Sequence, residues 1–163
     1  MTGDGRDVTH LQLADYLRVE AVDAQLAASN KPGVIRALVG LLLRVGEALD
    51  PNEVVDRLTE RESLQSTGIG RGVAIPHARI SGLTEPLIAV GLSPEGLDFE
   101  ALDGQLTRLF ITILVPEDAQ AVHLKLLARV SRLIGDAERL SNMLNSLSTQ
   151  SLYEAFVHGD ASL

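Results

Sequence analysis

Two short apolar runs near the middle of the chain constrain its fold more than any other feature. Residues 87–92, LIAVGL, and 109–115, LFITILV, are almost wholly apolar, and turn-forming residues bound each run. An apolar run without alternation is typical of a strand that is covered on both faces. We therefore predict that these two runs form the middle of a sheet.

Amphipathic helices are predicted on both sides of these runs. Between Asn30 and Gly46, apolar residues recur at helical spacing after Pro32, which a first helical turn tolerates. A second helix is predicted from Asp50, an N-cap candidate followed by proline and then a glutamate at the third helical position, to about Ser63. The pattern after the second run predicts three more helices, over residues 122–134, 136–147 and 150–158.

Helices before and after a group of short strands indicate one α/β domain. We predict a mixed β-sheet flanked by helices on both faces, with a further strand within residues 18–28. The chain of 163 residues has the size of one domain, and with 3% aromatic residues its core must be aliphatic. Residues 1–8 are expected to be a flexible leader, and residues 9–160 the domain, with the fold beginning near Leu11.

Charge and composition exclude several classes of partner. The formal net charge of −8 opposes binding to nucleic acid or to an anionic membrane surface. The chain has no cysteine, so disulfides, a thiol nucleophile and thiolate metal sites are excluded. The N-terminal sequence lacks a secretion signal, and no run of about 18 apolar residues occurs. A cytoplasmic location without membrane insertion is therefore expected.

Residues 66–79, STGIGRGVAIPHAR, form the segment most indicative of chemistry. Its three glycines allow backbone amides to approach an anion, and successive amides can form a phosphate nest, for which Gly68 and Gly70 are candidates. A dinucleotide site is disfavoured because Pro76 follows Gly72 too closely for a helix, and no Walker motif occurs. Residues 73–75 are predicted to be a short strand that ends at a turn carrying His77.

A histidine in such a turn is suited to carrying a phosphoryl group. A neutral imidazole has a free lone pair near neutral pH, and a phosphorylated ring nitrogen is a good enough leaving group for reversible transfer. A serine phosphate would be too inert for a relay. On its own, a single histidine at this position would be interpreted first as one that merely ends a strand.

The segment around His77, with Arg61-Glu62 before it and His123-Leu124 after it, is similar to the signature of the mannitol- and fructose-type enzyme IIA family of the bacterial phosphotransferase system. The resemblance extends from about Leu11 to Val157. It also includes three shorter matches, GLDF at 96–99, DG at 103–104 and LVP at 114–116.

The resemblance implies a mixed sheet flanked by helices and a phosphoryl-transfer activity that uses no metal, nucleotide or other cofactor. The implied donor is the phosphocarrier HPr or its nitrogen-branch paralogue. The implied recipients are an enzyme IIB or regulatory target proteins. By resemblance, His77 is the phosphoryl acceptor.

The resemblance also assigns supporting roles. His123, at the edge of the apolar stripe of its helix, would hydrogen-bond the ring or a phosphoryl oxygen, and Arg61 would supply a fixed positive charge. The alternatives are a half-buried helix histidine and an arginine that complements a helix C-terminus. Ser66 and Thr67 could bind the phosphoryl group through their hydroxyls or simply cap the turn.

No role in the site is predicted for the remaining basic residues. Arg71 and Arg79 flank the segment and could meet an acidic partner, but solvation is the simpler expectation. His10 and His158 are expected at the surface. No two histidines have the spacing of a common metal site, so no metal is predicted.

Three functions remain open at this point. The favoured one is a phosphohistidine relay, and the absence of attached IIB or IIC segments favours its nitrogen-regulatory branch over a sugar-specific enzyme IIA. The second is a regulatory binding module in which phosphorylation only changes the charge of a docking face. The third is an unrelated α/β enzyme that binds a small phosphorylated ligand in the glycine loop.

Overall fold

The computed structural model describes residues 11–46 and 49–163, so the predicted leader at residues 1–8 and the surface position predicted for His10 lie outside the described part. The helices are α1 (Lys31–Leu43), α2 (Pro51–Leu64), α3 (Gln120–Gly135), α4 (Ala137–Leu144) and α5 (Thr149–Ala161), with a short 3-10 helix at Leu13–Tyr16. The strands are β1 (Leu17–Asp23), β2 (Gly68–Gly70), β3 (Val73–Ala74), β4 (His77–Ile80), β5 (Leu87–Leu97) and β6 (Thr107–Pro116).

The described strands form one mixed sheet. Its order is β1-β5-β6-β3-β2, and β4 continues beyond β3 along the same side of β6. Strand β5 pairs antiparallel with β6, whereas β3 and β4 run parallel to β6 and β1 runs parallel to β5. The two apolar runs therefore occupy the middle of the sheet, as predicted.

Helices cover both faces of the sheet. Alternate residues of β6 point to opposite faces, so Ile111 and Ile113 pack under α3, α4 and α5, while Phe110 and Leu114 pack under α1 and α2. Both faces are apolar because both are covered. The prediction of a mixed sheet with helices on both faces is confirmed.

Capping residues explain where the helices begin and end. Asp50 caps α2 as predicted, because its side chain accepts a hydrogen bond from Asn52 N at 3.0 Å. The last two helices were predicted to end at residues 147 and 158, but α4 ends at Leu144 and α5 at Ala161. Helix α5 begins at Thr149, one residue before the predicted start, because Ser148 forms a capping box with Ser151.

The glycine segment differs from its prediction as a loop. Gly68–Gly70 is a strand that pairs antiparallel with Val73–Ala74, and the turn between them is made by Arg71 and Gly72, both with positive φ. His77 does not end a strand. It begins β4, because the chain steps at Ile75 and Pro76 before pairing again with β6. In the described part of the chain, no helix has both the length and the apolar character needed to cross a membrane.

Candidate functional site

An open hollow of about 390 Å³ lies where α2, β4 and the start of α3 meet. It is lined by Arg57, Glu60, Arg61, Leu64, His77, Ala78, Arg79, Gln120, His123, Leu124 and Leu127. Because Ala78 and Ile80 point into the core beneath α1 and α2, His77 and Arg79 point the other way, towards α3. The structure thus brings His77, His123 and Arg61 together.

One hydrogen bond defines which nitrogen of His77 can react. Nδ1 lies 2.8 Å from the carbonyl oxygen of Ile75. A carbonyl oxygen only accepts, so Nδ1 carries the proton of the neutral ring and donates it to this bond. Nε2 therefore keeps its lone pair and is the nucleophilic atom of the ring.

His123 lies directly beside His77. The two ring centroids are 5.0 Å apart and the ring planes meet at 72°, an edge-to-face arrangement. Among the described residues, Nε2 of His123 is buried without a hydrogen-bond partner. A buried polar nitrogen without a partner is costly, and a phosphoryl oxygen entering the hollow would supply one.

Both histidines are neutral near neutral pH. Burial lowers the pKa of His77 below its ordinary value of 6.5, and the charge of Arg61 adds to this, while the Ile75 carbonyl and Glu62 oppose it. Burial, followed by the charges of His77, Arg79 and Arg61, lowers the pKa of His123 from 6.5 to about 4. The Nε2 lone pair of His77 is therefore free near neutral pH.

Arg61 is fixed at the wall of the hollow by the end of its own helix. Its guanidinium donates a hydrogen bond of 2.9 Å to the carbonyl of Gln65, the residue that caps α2. This contact matches the alternative interpretation of Arg61 as a helix-end residue. It leaves the other guanidinium donors free of that bond, and the phosphate-binding role of Arg61 stays a prediction.

Two further arginines, Arg57 and Arg79, line the hollow. Neither was predicted from the sequence to belong to the site. Arg57 precedes Arg61 by four residues and so lies on the same face of α2. Arg79 follows His77 by two residues and so points to the same face of the sheet; it is exposed, as predicted, and it also lines the hollow. Three arginines and one glutamate thus surround the hollow of a chain whose net charge is −8.

The other predicted phosphate-binding residues are engaged elsewhere. The Ser66 hydroxyl donates to the Phe99 carbonyl at 2.8 Å, and the Thr67 hydroxyl donates to Glu62 at 2.5 Å. The Gly68 amide donates to Ser66 Oγ at 3.1 Å, and Gly70 lines a different, smaller hollow. None of these four residues is among those that line the hollow around His77.

Arg71 and His158 also lie away from this hollow. Arg71 donates to the carbonyl of Ile134 at 2.9 Å. His158 is exposed, as predicted, and lines a separate hollow between α4 and α5. Within residues 11–46 and 49–163, no group of three His, Cys, Asp or Glu side chains has the geometry of a metal site.

The sequence matches over residues 15–158 the family described as phosphoenolpyruvate-dependent sugar phosphotransferase system, EIIA 2. The chain belongs to this family, whose enzyme IIA members are phosphoryl carriers.

The chain is similar both to proteins named as fructose-specific components and to proteins named as nitrogen regulatory proteins. It is 33% identical over 144 residues to the fructose-specific EIIABC component of Bacillus subtilis, covering 88% of this chain but only 23% of that protein. It is 34% identical over 128 residues to the nitrogen regulatory protein of Pseudomonas aeruginosa, covering 78% of this chain and 83% of that protein.

Solved structures share the fold. Nitrogen regulatory protein IIA-Ntr from Neisseria meningitidis superposes with a TM-score of 0.81 at 27% identity, covering 88% of this chain and 97% of that one. Mannitol enzyme IIA, solved in complex with phosphorylated mannitol enzyme IIB from Escherichia coli, gives a TM-score of 0.72 at 19% identity, covering 87% and 97%.

Proposed function

We propose that His77 accepts a phosphoryl group from a phosphocarrier protein, HPr or its nitrogen-branch paralogue, and passes it on. The observation that carries this proposal is the hydrogen bond from Nδ1 of His77 to the Ile75 carbonyl, at 2.8 Å, inside an open hollow. The bond leaves Nε2 as the nucleophile of a ring that lies beside His123, in a hollow that Arg61 also lines.

The transfer exchanges one phosphorus–nitrogen bond for another. The Nε2 lone pair of His77 attacks phosphorus while the bond to the donor's imidazole breaks, and the released electron pair returns to that imidazole. Arg61 offers guanidinium hydrogens to the phosphoryl oxygens as their charge shifts. The reaction needs no metal and no nucleotide, since positioning and fixed positive charge do the work.

His123 is proposed to bind a phosphoryl oxygen through its buried, unpartnered Nε2. In this role the nitrogen carries a hydrogen and donates it to the oxygen. The arriving negative charge also favours a protonated ring, so phosphorylation of His77 is expected to raise the pKa of His123 from about 4.

We propose that the phosphoryl contacts come from the walls of the hollow rather than from the hairpin of β2 and β3. Ser66, Thr67 and Gly68 remain candidates only for shaping the segment that leads to His77, because their hydroxyl and amide partners lie within the protein. Gly70 is placed with them because it pairs with Val73 in the hairpin.

The rim of the hollow is suited to docking a protein. Leu64 and Leu124 are large apolar side chains with 78% and 62% of their surface exposed, and they stand on α2 and α3 at opposite sides of His77. Exposed apolar residues around a polar centre are typical of a transient protein interface. Donor and recipient are proposed to use this same rim in turn.

The recipient is proposed from the relatives. Nitrogen regulatory proteins support a regulatory chain whose phosphorylation state controls target proteins. The fructose-specific relative, and the mannitol complex with a IIB protein, support the second candidate, a sugar-specific enzyme IIA that feeds an enzyme IIB. We favour the regulatory branch, and a binding assay of phosphorylated and unphosphorylated protein against IIB proteins tests the choice.

Intact-mass spectrometry tests the acceptor. The protein is incubated with phosphoenolpyruvate, enzyme I and HPr, or with the nitrogen-branch pair, and an acid-labile gain of one phosphoryl group is expected. His77→Ala should abolish the gain, whereas His158→Ala, an exposed histidine in the other hollow, should not. Equal labelling of His77→Ala and its parent would refute the assignment.

A further inference from the structure

A buried glutamate lies next to Arg61 but does not line the hollow. Glu62, in the last turn of α2, has only 6% of its surface exposed. One carboxylate oxygen lies 3.1 Å from Lys31 Nζ and accepts a 2.8 Å hydrogen bond from Thr67 N. The other oxygen accepts the Thr67 hydroxyl at 2.5 Å. The proposed transfer leaves this costly buried charge without a role.

Backbone hydrogen bonds connect Glu62 to the reacting histidine. Thr67, held by Glu62 at both its amide and its hydroxyl, accepts a 3.0 Å bond from Ile75 N at its carbonyl. Ile75 in turn accepts Nδ1 of His77 at 2.8 Å. The path from carboxylate to imidazole therefore runs through two residues, each hydrogen-bonded on both sides.

Lys31 secures the far end of this path. Its ammonium lies 4.7 Å from the centre of the Phe99 ring and 3.2 Å from a carboxylate oxygen of Glu100. These contacts tie the first turn of α1 to the chain before β6 and present a fixed cation to Glu62. In a buried site such a charge-assisted network is rigid, because each polar group has a partner and little water competes.

We propose that Glu62 is a positioning residue for His77, which holds the Ile75 carbonyl in place through Thr67 and thereby keeps the imidazole proton on Nδ1 and the lone pair on Nε2. This inference extends the proposed phosphoryl transfer. Its primary readout, the tautomer of His77, is nevertheless defined in the unphosphorylated protein.

A purely structural role for Glu62 predicts something different. The same contacts could simply fasten α2 to the hairpin, in which case losing them would lower stability and leave the His77 ring unchanged. The tautomer separates the two roles, because it reports the carbonyl facing Nδ1 rather than the stability of the fold.

The test is nitrogen-15 NMR of the His77 ring in Glu62→Ala. We expect the single Nδ1-protonated tautomer of the parent to become a mixture, and transfer from HPr to slow about tenfold at an unchanged KM for HPr. Glu62→Gln, which keeps an acceptor for Thr67, should restore the tautomer. It should still lower the pKa of His77, because the Glu62 charge raises that pKa. Arg57, Glu60, Arg61, Arg79 and His123, the other charged or titratable residues lining the hollow, are unchanged in each variant.

Glu100→Ala is the matched control. It removes the other carboxylate from Lys31, but Glu100 is an exposed residue outside the path to His77, so the tautomer and the transfer rate should stay as in the parent. If Glu62→Ala does not fold because Lys31 loses its buried counter-charge and keeps only the exposed Glu100, Lys31→Met is added to remove the lysine charge. The double variant should show the same mixed tautomer.

A folded Glu62→Ala or double variant that keeps the pure Nδ1-protonated tautomer would overturn the inference. A parent protein that shows this tautomer, loses it in Glu62→Ala and yet is never phosphorylated at His77 would support the positioning role and refute the proposed transfer. The positioning role of Glu62 and the proposed phosphoryl transfer can therefore be refuted independently of each other.

Discussion

At the scale of residues, the neutral state of His123 is the feature that most affects the proposed phosphoryl transfer. Its ring is half-buried between α3 and His77, and Arg61 and Arg79 stand nearby, so a proton on the ring is disfavoured by burial and by like charge. Two neutral rings can lie 5.0 Å apart without repulsion. Because His77 is neutral as well, its Nε2 need not lose a proton before the proposed attack on phosphorus.

The first prediction concerns this pKa. In the unphosphorylated protein, NMR titration should give His123 a pKa of about 4, against 6.5 in the unfolded chain. Because the unfolded chain binds this proton first, the contribution of His123 to stability should be complete above about pH 6.5 and be lost as the pH falls towards 4. His77→Ala should raise the pKa only in part, since burial is the larger cause. A pKa near 6.5 in the folded parent would contradict this account.

The second prediction concerns Arg61. Arg61→Ala should slow phosphoryl transfer roughly a hundredfold, because a fixed donor aimed at the developing charge is lost. Arg61→Lys should recover only part of the rate, since an ammonium lacks the planar fork. Stopped-flow transfer from HPr measures both. Arg18→Ala, at an exposed position on β1, is the control and should transfer normally. A normal rate in Arg61→Ala would return this arginine to its helix-end role alone.

At this scale, the resemblance to the enzyme IIA signature pointed to three residues of the hollow but not to its geometry. His77, His123 and Arg61 could be named from the sequence, and the structure brings them together. The tautomer of His77 could not be predicted from the sequence, because it depends on where the backbone carbonyl of Ile75 lies. A backbone carbonyl is common to all residue types and leaves no sequence signal. Arg57 carried a readable signal, the four-residue spacing from Arg61, that was not used.

At the scale of elements, the hairpin of β2 and β3 delivers His77 to the hollow. Its backbone approaches the chain after Phe99 closely, since a Cβ at Gly68 would lie 2.9 Å from Cα of Ala101. Leu102 N also donates to the Gly68 carbonyl at 2.9 Å. The glycine at this position therefore permits close packing of two backbones.

The third prediction compares two glycines. Gly68→Ala should destabilise the protein by about 1–3 kcal/mol, because the backbone of Ala101 must move. Gly40→Ala, on the exposed face of α1 with no atom within 4 Å of the added Cβ, should stabilise it by up to about 1 kcal/mol. Urea unfolding of the two variants measures the difference. Equal stabilities would show that the hairpin is not closely packed.

Elements with strong local patterns could be predicted, and those made by long-range pairing could not. The apolar runs gave β5 and β6, and the helical spacing gave α1, α2 and α3. Strands β2 and β4 have three and four residues, too few for a periodic pattern, and β4 exists only because it pairs with β6, more than thirty residues away. The glycine segment was therefore expected to be a loop, and His77 was expected in a turn after a strand over residues 73–75.

At the scale of the whole molecule, a buried ion pair joins the two ends of the described chain. Asp160 of α5 is fully buried; its side chain accepts Arg129 Nε at 2.5 Å and the backbone amide of Ala14 at 3.0 Å. Arg129 also donates to the Asp160 carbonyl at 2.7 Å. These contacts hold α3, which carries His123, against α5 and the short 3-10 helix at Leu13–Tyr16.

The fourth prediction follows from this pair. Asp160→Asn should lower the free energy of unfolding by about 3 kcal/mol, because Arg129 loses its buried counter-charge. Glu154→Gln, on the exposed face of the same helix, should change it by less than about 0.5 kcal/mol. Denaturant titration gives both values. Well below the unfolding midpoint, phosphoryl transfer by Asp160→Asn should match the parent, and a slowed rate would connect this pair to the site.

In the proposed transfer, Nε2 of His77 is the atom that carries the phosphoryl group. The most direct measurement is nitrogen-15 NMR of the phosphorylated protein, in which phosphorus–nitrogen coupling identifies the bonded atom. We predict coupling to Nε2 of His77, with Nδ1 still protonated and hydrogen-bonded to Ile75. Coupling to Nδ1 of His77, or to either nitrogen of His123, would contradict the account.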